Sequence, residues 1–130
     1  MRDAGAAAAA RSEVVLVCGG LGPTFDDLTR DAVAAAFGRT LAYEPRIYAG
    51  ILRRYGRFGL RVPANNKRQA FLISGARALD NPHGSAPGQR LAAPGGRVVY
   101  LLPGPPAELY PMFEAKVLPE LTRRFGAGRA

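Results

Sequence analysis

Apolar residues gather in a few short blocks whose spacing names the elements. Val14-Val15-Leu16-Val17-Cys18 and Val98-Val99-Tyr100-Leu101-Leu102 are unbroken apolar runs, the pattern of strands buried on both faces of a sheet. Strands are therefore predicted over Val14–Cys18 and Arg97–Leu102. Ala32, Val33, Ala36 and Phe37 recur at helical spacing, predicting a helix capped by Asp27 or Thr29 and stopped by Gly38. Ile47, Ile51, Leu52 and Tyr55 predict a second helix from Glu44-Pro45 to about Gly56, because proline suits the first helical position. A short helix is expected over Pro63–Ala70 and a short strand over Ala76–Leu79. A turn at Asp80-Asn81-Pro82, a loop over Gly84–Gly88 and a hairpin turn over Leu91–Gly96 follow. A closing helix is predicted from Ala107 to about Arg124. The strong helix formers Ala6–Ala10 predict that Met1–Arg11 is the tail of a helix, turned into the first strand by Ser12-Glu13. Strands alternating with helices make an α/β domain, in which ligands sit where strand ends deliver their loops to one sheet edge.

Composition narrows this little. The chain has 130 residues, 48% hydrophobic and 22% charged, which suits one folded domain over residues 1–130 and not a disordered chain. No apolar stretch approaches the roughly 18 to 20 residues needed to span a bilayer, nor is there the apolar core of a signal peptide, so a cytoplasmic protein without a membrane partner is expected. Cys18 is the single cysteine and lies in the first apolar run, so no internal disulfide is possible and a buried thiol is predicted. The net charge of +8 is nearly all arginine, with Lys67 and Lys116 the only lysines. Its even spread, without a dense block or an aromatic stacking motif, argues against a nucleic-acid partner. The weak cluster Arg53–Arg61 reads as a solvated face. A positive field also favours encounter with small anionic substrates.

The most informative stretch is Gly19-Gly20-Leu21-Gly22-Pro23-Thr24-Phe25-Asp26-Asp27-Leu28-Thr29, which joins the first strand to the first helix. Glycines at 19, 20 and 22 let exposed N–H groups approach anionic oxygens, which makes the turn a candidate phosphate cradle. Asp26 and Asp27 add hard oxygen ligands beside it, the donors of a cation such as Mg²⁺ that bridges carboxylates to substrate phosphates. The alternative is a strand-to-helix turn whose Asp and Thr only cap the helix. His83 has no second His or Cys near it in sequence and reads as a loop residue, not a metal ligand.

Four segments in order carry a family resemblance: the stretch Gly19–Thr29, Asn65-Asn66-Lys67-Arg68-Gln69-Ala70, Asn81-Pro82-His83-Gly84-Ser85-Ala86-Pro87-Gly88, and Leu102-Pro103-Gly104-Pro105-Pro106-Ala107-Glu108. Together they resemble the N-terminal domain of competence/damage-inducible protein A (CinA), within the molybdopterin-binding superfamily that includes MoaB and MogA. The resemblance runs from about residue 6 to residue 122. It implies a three-layer α/β/α fold with a mostly parallel sheet, and metal-dependent hydrolysis of ADP-ribose to AMP and ribose 5-phosphate. Asp27 and Thr29 match the superfamily's Asp-x-Thr, Asn66 and Lys67 the middle segment, and Gly104, Pro105 and Glu108 the second ligand loop. Family members begin with a further strand, loop and helix, so the first strand and helix of the fold are expected to be missing here. The full-length form is expected to be a homodimer. No C-terminal amidase domain is expected after Gly126–Ala130.

The resulting expectations are a catalytic Asp27 with Lys67 or Arg68 neutralising the leaving phosphate, and a metal (Mg²⁺, Mn²⁺ or Co²⁺) on Asp26 and Asp27. The nucleotide substrate would be bound by Gly19, Gly20, Gly22, Thr24, Thr29, Asn66, Gly104, Pro105 and Glu108. Two alternatives stand beside this reading: a molybdopterin-binding domain of the kind used in molybdenum cofactor synthesis, and an inactive truncated remnant.

Overall fold

The computed structural model describes residues 14–24 and 27–126. The element order is β1 (Val14–Cys18), α1 (Thr29–Ala36), β2 (Leu41–Tyr43), α2 (Pro45–Arg57), a 3₁₀ segment (Ala64–Ala70), β3 (Phe71–Ile73), β4 (Arg77–Leu79), β5 (Gly88–Ala93), β6 (Arg97–Leu102), α3 (Pro106–Met112) and α4 (Leu118–Phe125). A π turn, Phe113–Val117, fuses α3 to α4, and the Leu118 N–H returns to the Phe113 carbonyl. Pro119 explains the widening, since a proline ring collides with the carbonyl four residues back in a regular helix.

One sheet has the order β1-β6-β5-β4, and β2 pairs with β3 in a separate ribbon. The three-layer α/β/α arrangement is as expected, but the sheet is not mostly parallel. Only β1 and β6 run parallel, with Val14 opposite Val98 and Cys18 opposite Leu102. The β5/β6 and β4/β5 pairs are antiparallel. The reason is local: Pro94–Gly96, with Gly95 and Gly96 at positive φ, folds β5 straight back into β6, leaving no crossover to make a parallel neighbour. The predicted hairpin turn is thus confined to Pro94–Gly96, and Leu91–Ala93 belongs to the strand.

β6 divides the core. Val99 and Leu101 pack with Leu91 under Val33 and Ala34 of α1 and Ile73 of β3. Val98, Tyr100 and Leu102 face Met112 and Val117 from the C-terminal helix. Gln89, fully buried on β5, donates to the Phe71 carbonyl at 3.2 Å and accepts the Ile73 N–H at 2.8 Å. One side-chain amide therefore takes the place of a strand pairing and fastens the β2/β3 ribbon to the main sheet.

Several local expectations are corrected. Cys18 is exposed rather than buried, because it and Leu16, 42% exposed, alternate onto the side of β1 away from the α1 core; partial burial still pushes its thiol pKa up. Neither Asp27 nor Thr29 caps α1, whose N-cap position is Leu28 without a side-chain cap bond. In α2 only Ile51 is buried, while Leu52 is 46% exposed. The helix expected over Met1–Arg11 lies outside the described residues. No helix among the described residues is long and apolar enough to cross a membrane.

A buried charge cluster holds the C-terminal helix to the sheet. Glu120, 3% exposed, meets Arg90 of β5 in a two-pronged pair at 2.9 and 3.0 Å, accepts the Tyr100 hydroxyl, and takes Arg124 Nε at 2.8 Å. These donors, Arg90 first, hold its carboxyl at about 2 against an ordinary 4.5. Because the folded value lies below the unfolded one, this stabilisation is full above about pH 4.5 and is lost as the pH falls towards 2. Glu120→Gln is expected to cost about 2 to 3 kcal/mol at neutral pH. It should also flatten the stability loss between pH 5 and 2 in urea titrations, and an unchanged acid limb would show that the cluster does not couple folding to that proton.

Candidate functional site

The loops after β1 and β6 leave the sheet side by side. The Gly19 N–H extends the parallel ladder by donating to the Leu102 carbonyl at 2.8 Å. A Cβ on Gly104 would lie 3.2 Å from the Gly19 Cα, so the two glycines let both backbones touch. Thr29, 1% exposed at the start of α1, sends its hydroxyl to the Gly19 carbonyl at 2.7 Å, and its N–H reaches the Gly20 carbonyl at 3.2 Å. At Gly20, where φ is +72°, a Cβ would fall 2.0 Å from the Thr29 Oγ1. The glycine at 20 is thus demanded by packing as well as by conformation.

Arg30 sets the next turn from inside. It is 4% exposed and donates to the carbonyls of Leu21 at 2.7 Å and Gly22 at 3.0 Å. Desolvation lowers its pKa from the ordinary arginine value. With these carbonyls drawn inward, the turn presents its N–H side to Asp27. The Asp27 Oδ2 accepts the Thr24 N–H at 3.0 Å and the Thr24 hydroxyl at 2.6 Å. These contacts, the Gly22 N–H and the charge of Arg30 hold its carboxyl below the usual range, so it is ionised at neutral pH. A Cβ at Gly22 would meet Asp27 Oδ2 at 2.6 Å. Arg68 completes the turn by donating to the Thr24 carbonyl at 3.1 Å.

The fold therefore brings Gly19, Gly20, Gly22, Thr24, Asp27, Thr29 and Gly104 together. It gives other predicted residues different work. Asn66, 4% exposed, spends its amide hydrogens on the Tyr55 hydroxyl at 3.2 Å and Gln69 at 2.8 Å. The Lys67 ammonium sits 5.0 Å from the Tyr43 ring centroid. Glu108 accepts from Asn81 Nδ2 at 2.9 Å, and the same amide donates to the Ala86 carbonyl at 2.8 Å. Glu108 thereby fixes the loop between β4 and β5. Pro105 is exposed at the mouth of the second loop. Asp26 lies outside the described residues.

Among the described residues no three carboxylate, His or Cys side chains converge as a metal cluster. One ionised carboxylate with a prearranged oxygen fits a cation of the Mg²⁺ class, which binds through one or two carboxylates and takes its other ligands from phosphates and water. Two arginines that hold the turn together are not legible as such in the sequence: a basic residue directly after Asp-x-Thr in a glycine turn is the only signal for Arg30, and Arg68 reads as a phosphate partner or a surface charge.

Comparison with known proteins identifies the family. The family described as "Probable molybdopterin binding domain" matches residues 1–123. A CinA-like protein of Thermotoga maritima is 50% identical over 103 residues, covering 79% of this chain and 25% of its own length. A CinA-like protein of Deinococcus radiodurans is 44% identical over 119 residues, covering 89% of this chain and 30% of its own length. The crystal structure of CinA from Thermoplasma acidophilum superposes with a TM-score of 0.78 at 34% identity, covering 88% of this chain and 66% of that one. The chain belongs to the molybdopterin-binding-domain family, as a CinA-like member. It spans about a quarter to three tenths of the length of those two relatives.

Gly20→Ala is expected to destabilise by about 2 to 4 kcal/mol through overpacking and backbone strain. Gly38→Ala, also at positive φ but with nothing within 4 Å of the new Cβ, should cost about 1 kcal/mol. Thermal melts of the two proteins measure the difference; equal losses would mean that the Thr29 contact is not what requires the glycine.

Proposed function

We propose that this domain binds a nucleotide pyrophosphate of the ADP-ribose class across the Gly19–Asp27 and Gly104–Pro105 loops and hydrolyses it to AMP and ribose 5-phosphate. The supporting observation is the ionised Asp27 carboxylate, oriented by Thr24 on a turn that touches the second loop through Gly19 and Gly104. Thr24 occupies Oδ2 twice, so Oδ1 is the oxygen through which Asp27 would hold a divalent cation. A Mg²⁺, Mn²⁺ or Co²⁺ ion held there would supply charge neutralisation on the phosphates and a lowered water pKa. In the hydrolysis, water adds at one phosphorus, the bridging P–O bond breaks, the leaving phosphate keeps the electron pair, and the proton of the attacking water is released to solvent. Arg68, tied to the Thr24 carbonyl, is the cation we assign to neutralising that developing charge, one of the two alternatives, with Lys67, that the sequence offers. The exposed backbone of Gly104 and Pro105 forms the opposite lip.

A second reading, a molybdopterin-binding role, draws on the description of the matching family. Thermal shift with molybdopterin and with ADP-ribose separates the two. Asp27→Asn is expected to lower ADP-ribose turnover about a hundredfold or more and chelation to abolish it. Full turnover in chelator, or in Asp27→Asn, would sink the hydrolase reading.

A further inference from the structure

The arginine cluster on α2 is not explained by this site. Arg46, Gly50, Arg53 and Arg57 lie at i, i+4, i+7 and i+11, which places them within about 60° of arc on one stripe of the helix. The stripe lines a cleft of about 720 Å³ closed on the far side by the loop from Asp80 to Pro87. Its floor is apolar, with Ile51 4% and Leu79 5% exposed. A second face of the helix holds the opposite wall in place: Arg54 donates to the Asn81 carbonyl at 3.2 Å and the Gly84 carbonyl at 2.7 Å. The cleft is thus built in advance of any ligand, which reduces the ordering cost of binding.

The charges in it are unbalanced. No described carboxylate lies within ion-pair distance of Arg46, Arg53 or Arg57, and Asp80 is the only acid among the lining residues. Like charges three or four positions apart destabilise a helix by about 0.2 to 0.5 kcal/mol a pair, a cost that an anion in the cleft would remove. The stripe spans about 16 Å, too long for one phosphate and suited to two or three. Gly50 keeps its middle open, with only Arg53 Nη2, at 3.7 Å, near a Cβ placed there. Phe58, 71% exposed, stands at the end of the stripe, where a flat ring would find a stacking surface beside the guanidinium groups.

We infer that this cleft is a second ligand site, for a nucleotide-type polyphosphate whose phosphates lie along Arg46, Arg53 and Arg57 and whose base rests on Phe58. Two sources present that chemistry, a free nucleoside triphosphate and a single nucleic-acid strand. The inference does not depend on ADP-ribose hydrolysis. The test is titration at about 150 mM salt, where loose surface attraction is screened, with ATP, with inorganic tripolyphosphate and with a short fluorescein-labelled oligothymidylate. Arg53→Ala/Arg57→Ala is expected to weaken ATP binding at least about tenfold while leaving any ADP-ribose turnover unchanged. Phe58→Ala should weaken ATP but not tripolyphosphate. Oligothymidylate binding with the same arginine dependence, displaced by ATP, would support the inference and identify a strand as the source; ATP binding without it would support a free nucleotide. ATP binding that survives the double substitution, that is lost in Asp27→Asn, or that is absent at this salt would overturn the inference. Loss of turnover in Asp27→Asn with ATP binding intact bears only on the hydrolytic reading.

Discussion

The parallel contact between β1 and β6 does not stop where the strands do, and the candidate site depends on its continuation. One further ladder bond, from Gly19 to Leu102, carries the two backbones past the sheet edge still in contact. Most parallel neighbours diverge into separate loops at this point. Here Gly104 faces Gly19 so closely that a side chain on it would wedge the pair apart. Thr29 then ties the first helix to the same glycine through its hydroxyl. Strand end, helix start and second loop are fixed by contacts among a few residues. The position of Asp27 follows from them, because only Leu28 separates it from Thr29.

The elements read correctly from the sequence are those whose stability comes from apolar burial at a regular period. β1, β6, α2 and the closing helix all announce themselves in that way. β5 does not, since its inward positions include Gln89 and its opposite face carries Arg90. Both are satisfied by partners distant in sequence, the β3 backbone and Glu120. A polar strand whose partners come from the tertiary fold is indistinguishable, as a sequence, from a loop. The same holds in the site. Asn66 is expected in the site because its segment matches the family's middle motif, and its amide hydrogens go to Tyr55 and Gln69. Arg30, which little in the sequence singles out, is buried and shapes the turn.

The arginine excess takes on a structural meaning once these contacts are seen together. Arg30, Arg39, Arg54 and Arg68 each donate to loop carbonyls, at Leu21 and Gly22, at Ser74, at Asn81 and Gly84, and at Thr24 respectively. A guanidinium can grip two carbonyls in a fixed fork, which lysine cannot. Such bonds satisfy geometry without consuming charge. The chain therefore stays strongly cationic while several of its arginines act as staples between segments, and net charge alone is a poor guide to where an anion would bind. What distinguishes α2 is that Arg54, on its second face, is spent on carbonyls while Arg46, Arg53 and Arg57 line the open cleft.

The glycine-rich turn itself calls for a different interpretation from that of a phosphate cradle. Its N–H groups are aimed at an anion, but that anion is Asp27, a residue of the same turn. In a loop of the phosphate-cradle kind the backbone supplies the positive potential and the ligand the negative charge. In this chain the Gly22 and Thr24 N–H groups are already matched to Asp27, and the Thr24 hydroxyl and the charge of Arg30 reinforce the match. The field that reaches a ligand is then that of a fixed carboxylate bordered by Arg68, which repels a bare phosphate and attracts a cation or a cation–phosphate pair. Glycine is required here so that Thr29 and Asp27 can approach the chain, and the chemistry passes from the backbone to the carboxylate that it orients.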